Sequence, residues 1–436
     1  MENIKLQRYP AYKDSGVEWL GEIPEHWEVL RIKHLFKEIN ERSVNGSEEL
    51  LSVSQYTGVT RKSDKVETGD LLTTATTLEG YRKVYKGDLV SNIMLAWNGS
   101  LGFSPFDGIT SPAYSTYRLQ CDNNKGYFHY LLRTDIYKSE FKRNSSGVID
   151  SRLRLYTDDF FRIIAILPPI EEQTAIAYFL DNKTALIDKA ISLKQKQIEL
   201  LKERRQILIH RAVTRGLNPD AKFKDSGVKW IGDIPEHWEV KKLKHLSQII
   251  DCKNRTPEYL DGGKYLVVRT SNVKDGKLIY DKRLYTDKRN YAIWTERGIP
   301  KVGSVLFTRE APAGEACLVP NQIELCLGQR MMSINGIMNQ LSNKYLLLII
   351  YSPAIQIYIE LMSSGSTVTH LRVPQIFDMP IAVPFYAEQC EIEEYLNIIS
   401  EKIDCSITLK EKEIEKLKEY KNVLINEAVS GKIKVN

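Results

Sequence analysis

KDSGVEWLGEIPEHWEV at residues 13–29 returns as KDSGVKWIGDIPEHWEV at residues 224–240. The offset is a constant 211 residues (224 minus 13), and every change except Glu18 against Lys229 keeps the charge or the apolar bulk. The Ser-Gly, Ile-Pro and His-Trp elements predict a tight, non-helical segment anchored by its tryptophans. An internal repeat of this kind predicts a chain built from two related halves.

A second repeat lies at residues 168–216 and 384–431. Over most of its length the offset is 216, as in Gln173 against Gln389 (389 minus 173). Each copy begins with Pro followed by acidic residues and ends at Gly, which is the usual start and stop of a helix. A helix from residue 171 to residue 214 would be about 66 Å long at 1.5 Å per residue.

Apolar residues alternate at spacings of three and four inside both copies, as in helices that pair with each other. The predicted pairing residues are Ile187, Ile191, Ile198, Leu201, Leu208, Ile403, Ile407, Ile414, Leu417 and Leu424. Lys194 and Arg205 interrupt the first stripe, and Lys410 and Lys421 interrupt the second at matching places. The alternative is that each long helix packs on its own globular domain, but the matched interruptions favour pairing.

Chain connectivity predicts the direction of this pairing. About 165 residues separate the two helices, enough for one compact domain with a radius of gyration of roughly 15 Å. Such a domain is shorter than the helix, so it most easily places the start of the second helix beside the end of the first. By the same reasoning, segment 13–29 is expected near the end of the second helix.

The predicted fold class is α+β, with two α/β domains joined by two long helices that form an antiparallel coiled coil with pseudo-twofold symmetry. The predicted domains are residues 1–167, the central helix at 168–216, residues 217–383, and the C-terminal helix at 384–436. Short β-branched and aromatic runs between Gly, Asn and Asp turns predict twisted sheets in both globular domains.

Each globular domain closes in a similar way, with GVIDSRLRL at residues 147–155 and GSTVTHLRV at residues 365–373. This match places Arg154 opposite Arg372. Arg and His on an extended segment after a glycine suit contacts with phosphate or guanine, because Arg can bind either in a bidentate way. Surface salt bridges are the alternative. Two divergent domains on a rigid spacer predict a bipartite, non-palindromic DNA target.

Composition limits the function classes. The chain has 436 residues, 42% hydrophobic and 27% charged, with a net charge of +5 that does not by itself indicate nucleic-acid binding. No apolar run approaches the roughly 18 residues of a membrane span, which predicts a cytoplasmic protein without a membrane partner. The six cysteines are scattered, and neither they nor the repeated Glu-His pair has metal-site spacing, so we expect reduced thiols and no metal.

Further stretches resemble a known family. They are SVSQYTGVT at 52–60, GDLVSNIMLAWNGSLG followed by DGITSPAY, SRLRLY, LPPIEEQ, TREAPAGEA, LGQRMMSI at 327–334 and STVTHLRVPQI. With the duplicated first element they resemble the specificity subunits of type I restriction-modification enzymes over essentially the whole chain. The resemblance implies two target recognition domains, separated by helical conserved regions, in a non-catalytic subunit that binds double-stranded DNA.

The resemblance also implies partners. Two modification subunits would dock on the helices and methylate adenine, and motor-nuclease restriction subunits would join the full complex. S-adenosylmethionine, ATP and Mg would be bound by those partners, and no cofactor is expected in this chain. The sequence agrees, since it contains no N/D-P-P-Y/F methylation tetrapeptide and no Walker A loop.

Candidate DNA contacts follow from residue chemistry, because Arg pairs favourably with guanine and Gln with adenine. They are Gln55, Tyr56, Arg61, Lys62, Arg152 and Arg154 in the first domain, and Lys253, Arg255, Arg269, Arg309, Gln329, Arg330, His370 and Arg372 in the second. Two other functions stay open. One is a coiled-coil scaffold whose end domains bind protein or RNA, and the other, disfavoured by the missing motifs, is an independent enzyme.

Overall fold

A computed structural model describes residues 7–65, 77–120, 122–253, 255, 257–363 and 370–435, without the side chains of Lys65 and Ser151. The chain divides into two compact units. Unit 1 comprises Met1–Lys194 and Lys412–Asn436, and unit 2 comprises Gln195–Glu411. Each unit therefore contains part of both repeated helical segments.

The elements from the N-terminus to the first long helix are short strands and helices that precede one helix of 46 residues. They are β1 (Tyr12–Asp14), β2 (Glu22–Pro24), β3 (Glu28–Arg31), β4 (Phe36–Glu38), β5 (Leu51–Ser54), β6 (Gly58–Arg61), β7 (Arg82–Val84), β8 (Leu89–Asn92), β9 (Leu101–Phe103), β10 (Gly108–Thr110), β11 (Tyr114–Leu119), α1 (Lys125–Leu131), α2 (Asp135–Arg143), α3 (Thr157–Arg162), β12 (Ile164–Leu167) and α4 (Ile170–Arg215).

The elements that follow have a similar order, with an extra helix among the strands, and end in a helix of 44 residues. They are β13 (Phe223–Asp225), β14 (Asp233–Pro235), β15 (Glu239–Lys242), β16 (Ser247–Asp251), β17 (Tyr265–Val268), β18 (Val273–Lys274), β19 (Lys277–Leu278), β20 (Tyr285–Thr286), α5 (Lys288–Trp294), β21 (Val305–Thr308), β22 (Ala316–Leu318), β23 (Leu325–Leu327), β24 (Met331–Gly336), α6 (Asn343–Ile350), α7 (Pro353–Ser363), α8 (Val373–Phe377), β25 (Pro380–Val383) and α9 (Tyr386–Val429).

Both units contain the same sheet framework. The main sheet of unit 1 is antiparallel with order β4-β11-β8-β9, and that of unit 2 is antiparallel with the equivalent order β16-β24-β21-β22. Each unit also has a second antiparallel strand pair, which is β3 with β12 in unit 1 and β15 with β25 in unit 2. This pair joins the start of each globular region to its end. The two units therefore share one topology, although the strands of the main sheets lie between the repeated sequences.

The divergent sequences produce different accessory sheets. Unit 1 adds the hairpin β5–β6 and the pair β7–β10. Unit 2 adds a three-stranded sheet of order β20-β17-β23, in which β17 and β23 are parallel, and the small hairpin β18–β19. The two units thus share a frame and differ in the structures that it carries.

The long helices begin and end where the repeat predicted. Two prolines precede α4, and Gly216 after it has a φ of +70°, the left-handed conformation that commonly ends a helix. Gly431 after α9 has a φ of +74°, and a Cβ there would lie 2.5 Å from Pro24 Cδ, so only glycine fits. The predicted pair of long helices is confirmed.

The two helices run antiparallel within each unit. In unit 1, Lys194 Nζ lies 2.5 Å from Glu413 Oε2, and Lys421 Nζ lies 2.7 Å from both carboxylate oxygens of Asp188. Since the higher number on one helix meets the lower number on the other, the direction is antiparallel.

Unit 2 shows the same arrangement. Arg205 Nη1 lies 2.7 Å from Asp404 Oδ1, and Lys410 Nζ donates to Gln197 Oε1 at 2.7 Å. The charged residues that interrupt the apolar stripes therefore all make polar contacts with the facing helix. Of the ten predicted pairing residues, six are buried and four are half-buried: Ile187, Ile198, Ile403, Ile407, Ile414 and Leu424, then Ile191, Leu201, Leu208 and Leu417.

Helix length and apolar composition bear on membrane spanning in the part of the chain that the structure describes. No single helix there has the length and apolar composition to cross a bilayer. Helices α6 and α7 meet both requirements only when joined across their bend of 64°. Several of their side chains, such as Tyr345 and Ile355, are buried in the core of unit 2.

Candidate nucleic-acid interface

The repeated tryptophan element attaches to the first turn of a long helix. In unit 1, Trp27 is fully buried, and its Nε1 donates to Glu172 Oε2 at 2.9 Å. His26 Nε2 lies 2.6 Å from the other carboxylate oxygen, and the Tyr9 hydroxyl donates to Oε2 at 2.7 Å. A carboxylate in the first helical turn is also stabilised by the helix dipole. One glutamate therefore binds the N-terminal segment to α4.

Unit 2 repeats the same contacts. Trp238 is fully buried, and its Nε1 lies 3.2 Å from both oxygens of Glu388, while His237 Nε2 lies 2.8 Å from Oε2. A Cβ on Gly216 would be 3.4 Å from the Trp238 ring, so the end of α4 packs beside the start of α9 here. In unit 1 the segment 13–29 lies at the end of α9, where a Cβ on Gly431 would be 3.0 Å from the Trp27 ring, as the connectivity predicted.

The histidines of this element thus have a structural partner. Within the described ranges, no group of three or more His, Cys, Asp or Glu side chains is placed to hold a metal ion. The cysteines Cys252, Cys317 and Cys326 are buried thiols, and Cys390 and Cys405 are exposed thiols. Cys121 lies outside the described residues.

We expect Glu172→Gln to lower the free energy of unfolding of unit 1 by about 1–3 kcal/mol near pH 7, because hydrogen bonds to charged acceptors are the stronger ones. Partial burial raises the pKa of Glu172, but the hydrogen bonds from Tyr9, His26 and Trp27 outweigh it and hold the pKa below its ordinary value. A depressed pKa gives stability that is present above the unfolded-state pKa and is lost as the pH falls through the folded-state pKa.

Urea unfolding of both forms across the acid range measures this effect. The difference between wild type and Glu172→Gln should shrink as the pH falls, since the wild-type carboxyl becomes protonated. Glu171→Gln is the matched control, because Glu171 is exposed on the same helical turn. A pH-independent difference would contradict the assignment of Glu172 as the charged acceptor.

The segments that close the two globular domains, at residues 147–155 and 365–373, align in a register that differs from the predicted one. Leu155 N donates to Ile93 O at 2.9 Å, and Leu371 N donates to Arg309 O at 2.9 Å, both at an offset of 216 (371 minus 155, 309 minus 93). Residue 156 is the N-cap of α3, and residue 372 is the N-cap of α8.

The counterpart of Arg154 is therefore His370, and the prediction that placed Arg154 opposite Arg372 was wrong by two residues. The cause is the alternating SRLRL pattern, which a Leu-Arg-apolar motif matches in more than one register. Residues 365–369 of the second segment lie outside the described residues.

Four candidate DNA contacts of unit 1 lie on the hairpin β5–β6. Gln55 and Tyr56 occupy its turn, and the Tyr56 side chain is 83% exposed. Arg61 ends β6, with its guanidinium carbon 4.5 Å from the centre of the Phe106 ring. Lys62 follows and is half-buried. The hairpin thus presents an amide, a phenol and two cations within eight residues (55 to 62), a combination that suits DNA contacts.

A residue absent from the sequence-based candidates supports this turn. Arg133 Nη2 donates to Gln55 O, and Arg133 Nη1 lies 3.2 Å from His129 Nε2. Burial, and then the Arg133 charge, lower the pKa of His129 to about 4, so the imidazole is neutral near pH 7 and its Nε2 can accept. The link spans 78 positions of sequence, and no local pattern signals it.

The other two candidates of unit 1 lie on the loop between residues 146 and 154. Backbone hydrogen bonds of 2.9 Å in both directions between Ser146 and Arg154 close this loop. Arg152 is exposed, and Arg154 is half-buried. In the same loop, Val148 is 98% exposed and Ile149 is also exposed. Exposed apolar side chains of this kind suit contacts with thymine methyl groups. The sequence analysis did not name these two residues.

In unit 2 the fold brings distant candidates together. Arg309 N donates to Arg330 O at 2.9 Å. The backbone N of Leu371, which follows His370, donates to Arg309 O at 2.9 Å. Gln329 and Arg330 are exposed beside this junction, and so is Arg372, at the N-cap of α8. Three segments of unit 2 thus meet at one surface.

Arg309 itself is not part of that surface. Its side chain is 7% exposed, with Nε 3.4 Å from Asp251 Oδ1 and Nη2 3.6 Å from Cys252 Sγ. A buried guanidinium paired with a carboxylate is expensive to extract. Arg309 therefore supports the junction from inside the fold, which corrects its prediction as a direct DNA contact.

The remaining candidates of unit 2 lie around its accessory sheet. Lys253 Nζ forms an ion pair of 2.6 Å with Glu296, and Arg255 is exposed. Arg269 is half-buried and donates to Lys282 O at 2.8 Å. Lys253 is thus already ion-paired, and a DNA contact would have to compete with that pair.

Comparison with known proteins adds to this geometry. The model of the type I restriction modification DNA specificity domain matches residues 24–203 and 235–419, which is most of the chain. The chain belongs to the type I restriction-modification specificity family. Both matched ranges start in the repeated tryptophan element, at an offset of 211 (235 minus 24), and both end within a long helix.

Two relatives in this specificity family come from Methanocaldococcus jannaschii. The putative type I restriction enzyme MjaX specificity subunit is 24% identical over 460 residues, covering 99% of both chains. The type I restriction enzyme MjaVIII specificity subunit is 25% identical over 435 residues, covering 95% of this chain and 94% of the relative. The general role of the family is DNA recognition within a restriction-modification complex.

Solved structures agree with the fold of a specificity subunit. A chain from a study of complex assembly and conformational transition of the type I R-M system matches with a TM-score of 0.71 at 15% identity, covering 93% of this chain and 98% of that one. The HsdS subunit from Thermoanaerobacter tengcongensis matches with a TM-score of 0.54 at 15% identity, covering 94% and 98%. The predicted fold class is confirmed.

Proposed function

We propose that this specificity subunit reads a bipartite, asymmetric double-stranded DNA site, one part through each unit. The target recognition domains are residues 1–167 and 217–383, and the helical segments 168–216 and 384–436 join them. The observation that carries the proposal is the contrast between the units. They share one sheet framework but carry different accessory sheets, so they offer different side chains to DNA.

The subunit acts without catalysis of its own. Two modification subunits dock on the helical segments and methylate adenine with S-adenosylmethionine. Motor-nuclease restriction subunits, supplied with ATP and Mg, complete the complex, which acts in the cytoplasm. This chain contributes neither cofactor nor metal. Methyl transfer by the purified chain alone would contradict this part of the proposal.

The direct test is single-molecule sequencing of adenine methylation. DNA from cells that express this chain with the methyltransferase encoded beside it is compared with DNA from cells that lack this chain. The expected result is a split, asymmetric motif, methylated on both strands, that depends on the chain. Unchanged methylation in cells where the complex assembles would contradict the proposal. In a separate binding measurement, a preference of the purified chain for RNA or protein over duplex DNA would favour the scaffold function.

Arginine substitutions test how each unit reads its part of the site. We expect Arg154→Ala and Arg372→Ala each to cost about 1–3 kcal/mol of binding and to relax specificity in one half-site only. Competition binding with duplexes that differ in one half-site measures this. Each variant is the control for the other, because they lie in different units. An equal loss on all sequences would identify a phosphate contact instead.

A further inference from the structure

Glu310 lies between two of the candidate contacts in unit 2. Its Oε2 lies 2.8 Å from Arg330 Nε, and its Oε1 lies 2.6 Å from His370 Nδ1. The Glu310 side chain is 21% exposed, whereas those of Arg330 and His370 are 45% and 39% exposed. One carboxylate thus contacts two side chains that are both more exposed than it is.

The backbone around this carboxylate is held in place. Arg330 has a φ of +71°, a left-handed conformation that an L-residue adopts at a cost and keeps where its surroundings hold it. The backbone hydrogen bond from Arg309 N to Arg330 O supplies part of that restraint, and Glu310 forms an antiparallel bridge with His370. The neighbouring residue Arg309 is itself buried and forms an ion pair with the half-buried Asp251. The fold therefore fixes the backbone positions from which these three side chains meet.

The ion pairs use particular atoms. They engage Nε of Arg330 and Nδ1 of His370, so neither contact occupies the terminal guanidinium nitrogens or His370 Nε2. The terminal nitrogens form the fork that binds guanine O6 and N7 in a bidentate way. A guanidinium fixed through Nε has fewer conformations to lose on binding, which favours one orientation of the fork.

The charge of the carboxylate has a second effect. Phosphate attraction to cations is independent of sequence and supplies most of non-specific DNA binding. An anion beside the Arg330 guanidinium lowers the local net charge and repels phosphate, which weakens non-specific binding more than a correctly aligned base contact. Specificity is a difference of affinities, and a repulsive element can raise it.

We propose that Glu310 is a specificity-determining positioning residue, which aims Arg330 and His370 at base edges and keeps phosphates from capturing them. The inference rests on the proposed function, because it assigns how unit 2 reads its part of the DNA site. Glu310 acts through its neighbours and makes no direct DNA contact.

The test is Glu310→Gln, which keeps the shape of the side chain and removes its charge. On non-specific duplex we expect affinity to rise several-fold and the slope of log K against log salt to become steeper by about 0.9 for each new phosphate contact. In the methylated motif, discrimination should fall by about tenfold or more at one or two positions of a single half-site. Glu324→Gln is the matched control, since Glu324 makes an exposed ion pair with Lys264 elsewhere in unit 2.

A second variant keeps the test decisive if Glu310→Gln folds poorly. Arg330→Lys retains the charge but loses the fork and the Nε contact, and it should relax the same motif positions. Glu310→Asp retains the charge and should restore part of the discrimination. Two results would overturn the inference: an unchanged motif and salt slope in Glu310→Gln, or an equal loss on every sequence together with a lower unfolding temperature. Absence of a motif in the wild type would instead remove the proposed function itself.

Discussion

Trp27→Ala should lower the free energy of unfolding of unit 1 by about 3–5 kcal/mol, the usual cost of removing a fully buried aromatic side chain. The indole is 0% exposed, and its ring contacts Tyr9 edge to face, with centroids 5.7 Å apart. Removal leaves a large cavity and takes one hydrogen bond from Glu172. Because this tryptophan joins the N-terminal segment to the long helix, the loss should spread through unit 1.

Hydrogen exchange read by mass spectrometry resolves the effect by unit, alongside urea unfolding. Trp238→Ala is the equivalent change in unit 2, where the indole is also fully buried, and it should expose unit 2 amides instead. Trp19→Ala is the control within the same repeated element, since Trp19 is only half-buried. A loss below about 1 kcal/mol in Trp27→Ala, or a loss equal to that of Trp19→Ala, would show that the repeated element does not anchor the fold.

Leu424→Ala should lower the free energy of unfolding of unit 1 by about 2–5 kcal/mol. Leu424 is 2% exposed and lies in one buried cluster with Ile187 of the facing helix. Truncation removes apolar contact from the helix pair and leaves a cavity whose size depends on how far the neighbours relax. In cells, this variant should also reduce methylation at the target, because the helices carry the proposed docking surface.

The comparison with Lys421→Ala decides what holds the helices together. Lys421 contacts Asp188, but its side chain is 27% exposed and that of Asp188 is 57% exposed. Exposed ion pairs of this kind contribute about 0–1 kcal/mol and weaken as salt rises. Urea unfolding at low and high salt should therefore show a small, salt-dependent loss for Lys421→Ala and a large, salt-independent loss for Leu424→Ala. The reverse order would mean that charge, not the apolar stripe, stabilises the pair.

Local patterns in the sequence were sufficient for the long helices. The predicted helix at residues 171–214 is observed as Ile170–Arg215, and the second as Tyr386–Val429. Proline, the apolar period of three and four, and a terminal glycine act within a few residues of each other, so the helix bounds can be read from neighbouring positions. The antiparallel direction also followed from sequence, because the repeat order and the length of the intervening segment leave little choice.

Local patterns were insufficient wherever a side chain meets a distant partner. Sequence analysis named the histidine and tryptophan of the repeated element but not Glu172 and Glu388, which they contact across 145 to 151 positions. It selected Arg309 for its charge, whereas the fold buries it against Asp251. A basic residue has the same local signature on a surface and in a buried pair.

Repetition and periodicity by themselves determined the two related halves and the helices between them, because each of these properties is carried by neighbouring residues or by their exact recurrence. The family was indicated by the resemblance of the quoted stretches to type I specificity subunits. Only the tertiary structure decided the register of Arg154 against His370, the support of Gln55 by Arg133 and the position of Glu310 between Arg330 and His370. These contacts join residues 20 to 78 positions apart, and their geometry depends on how the strands and loops between them pack.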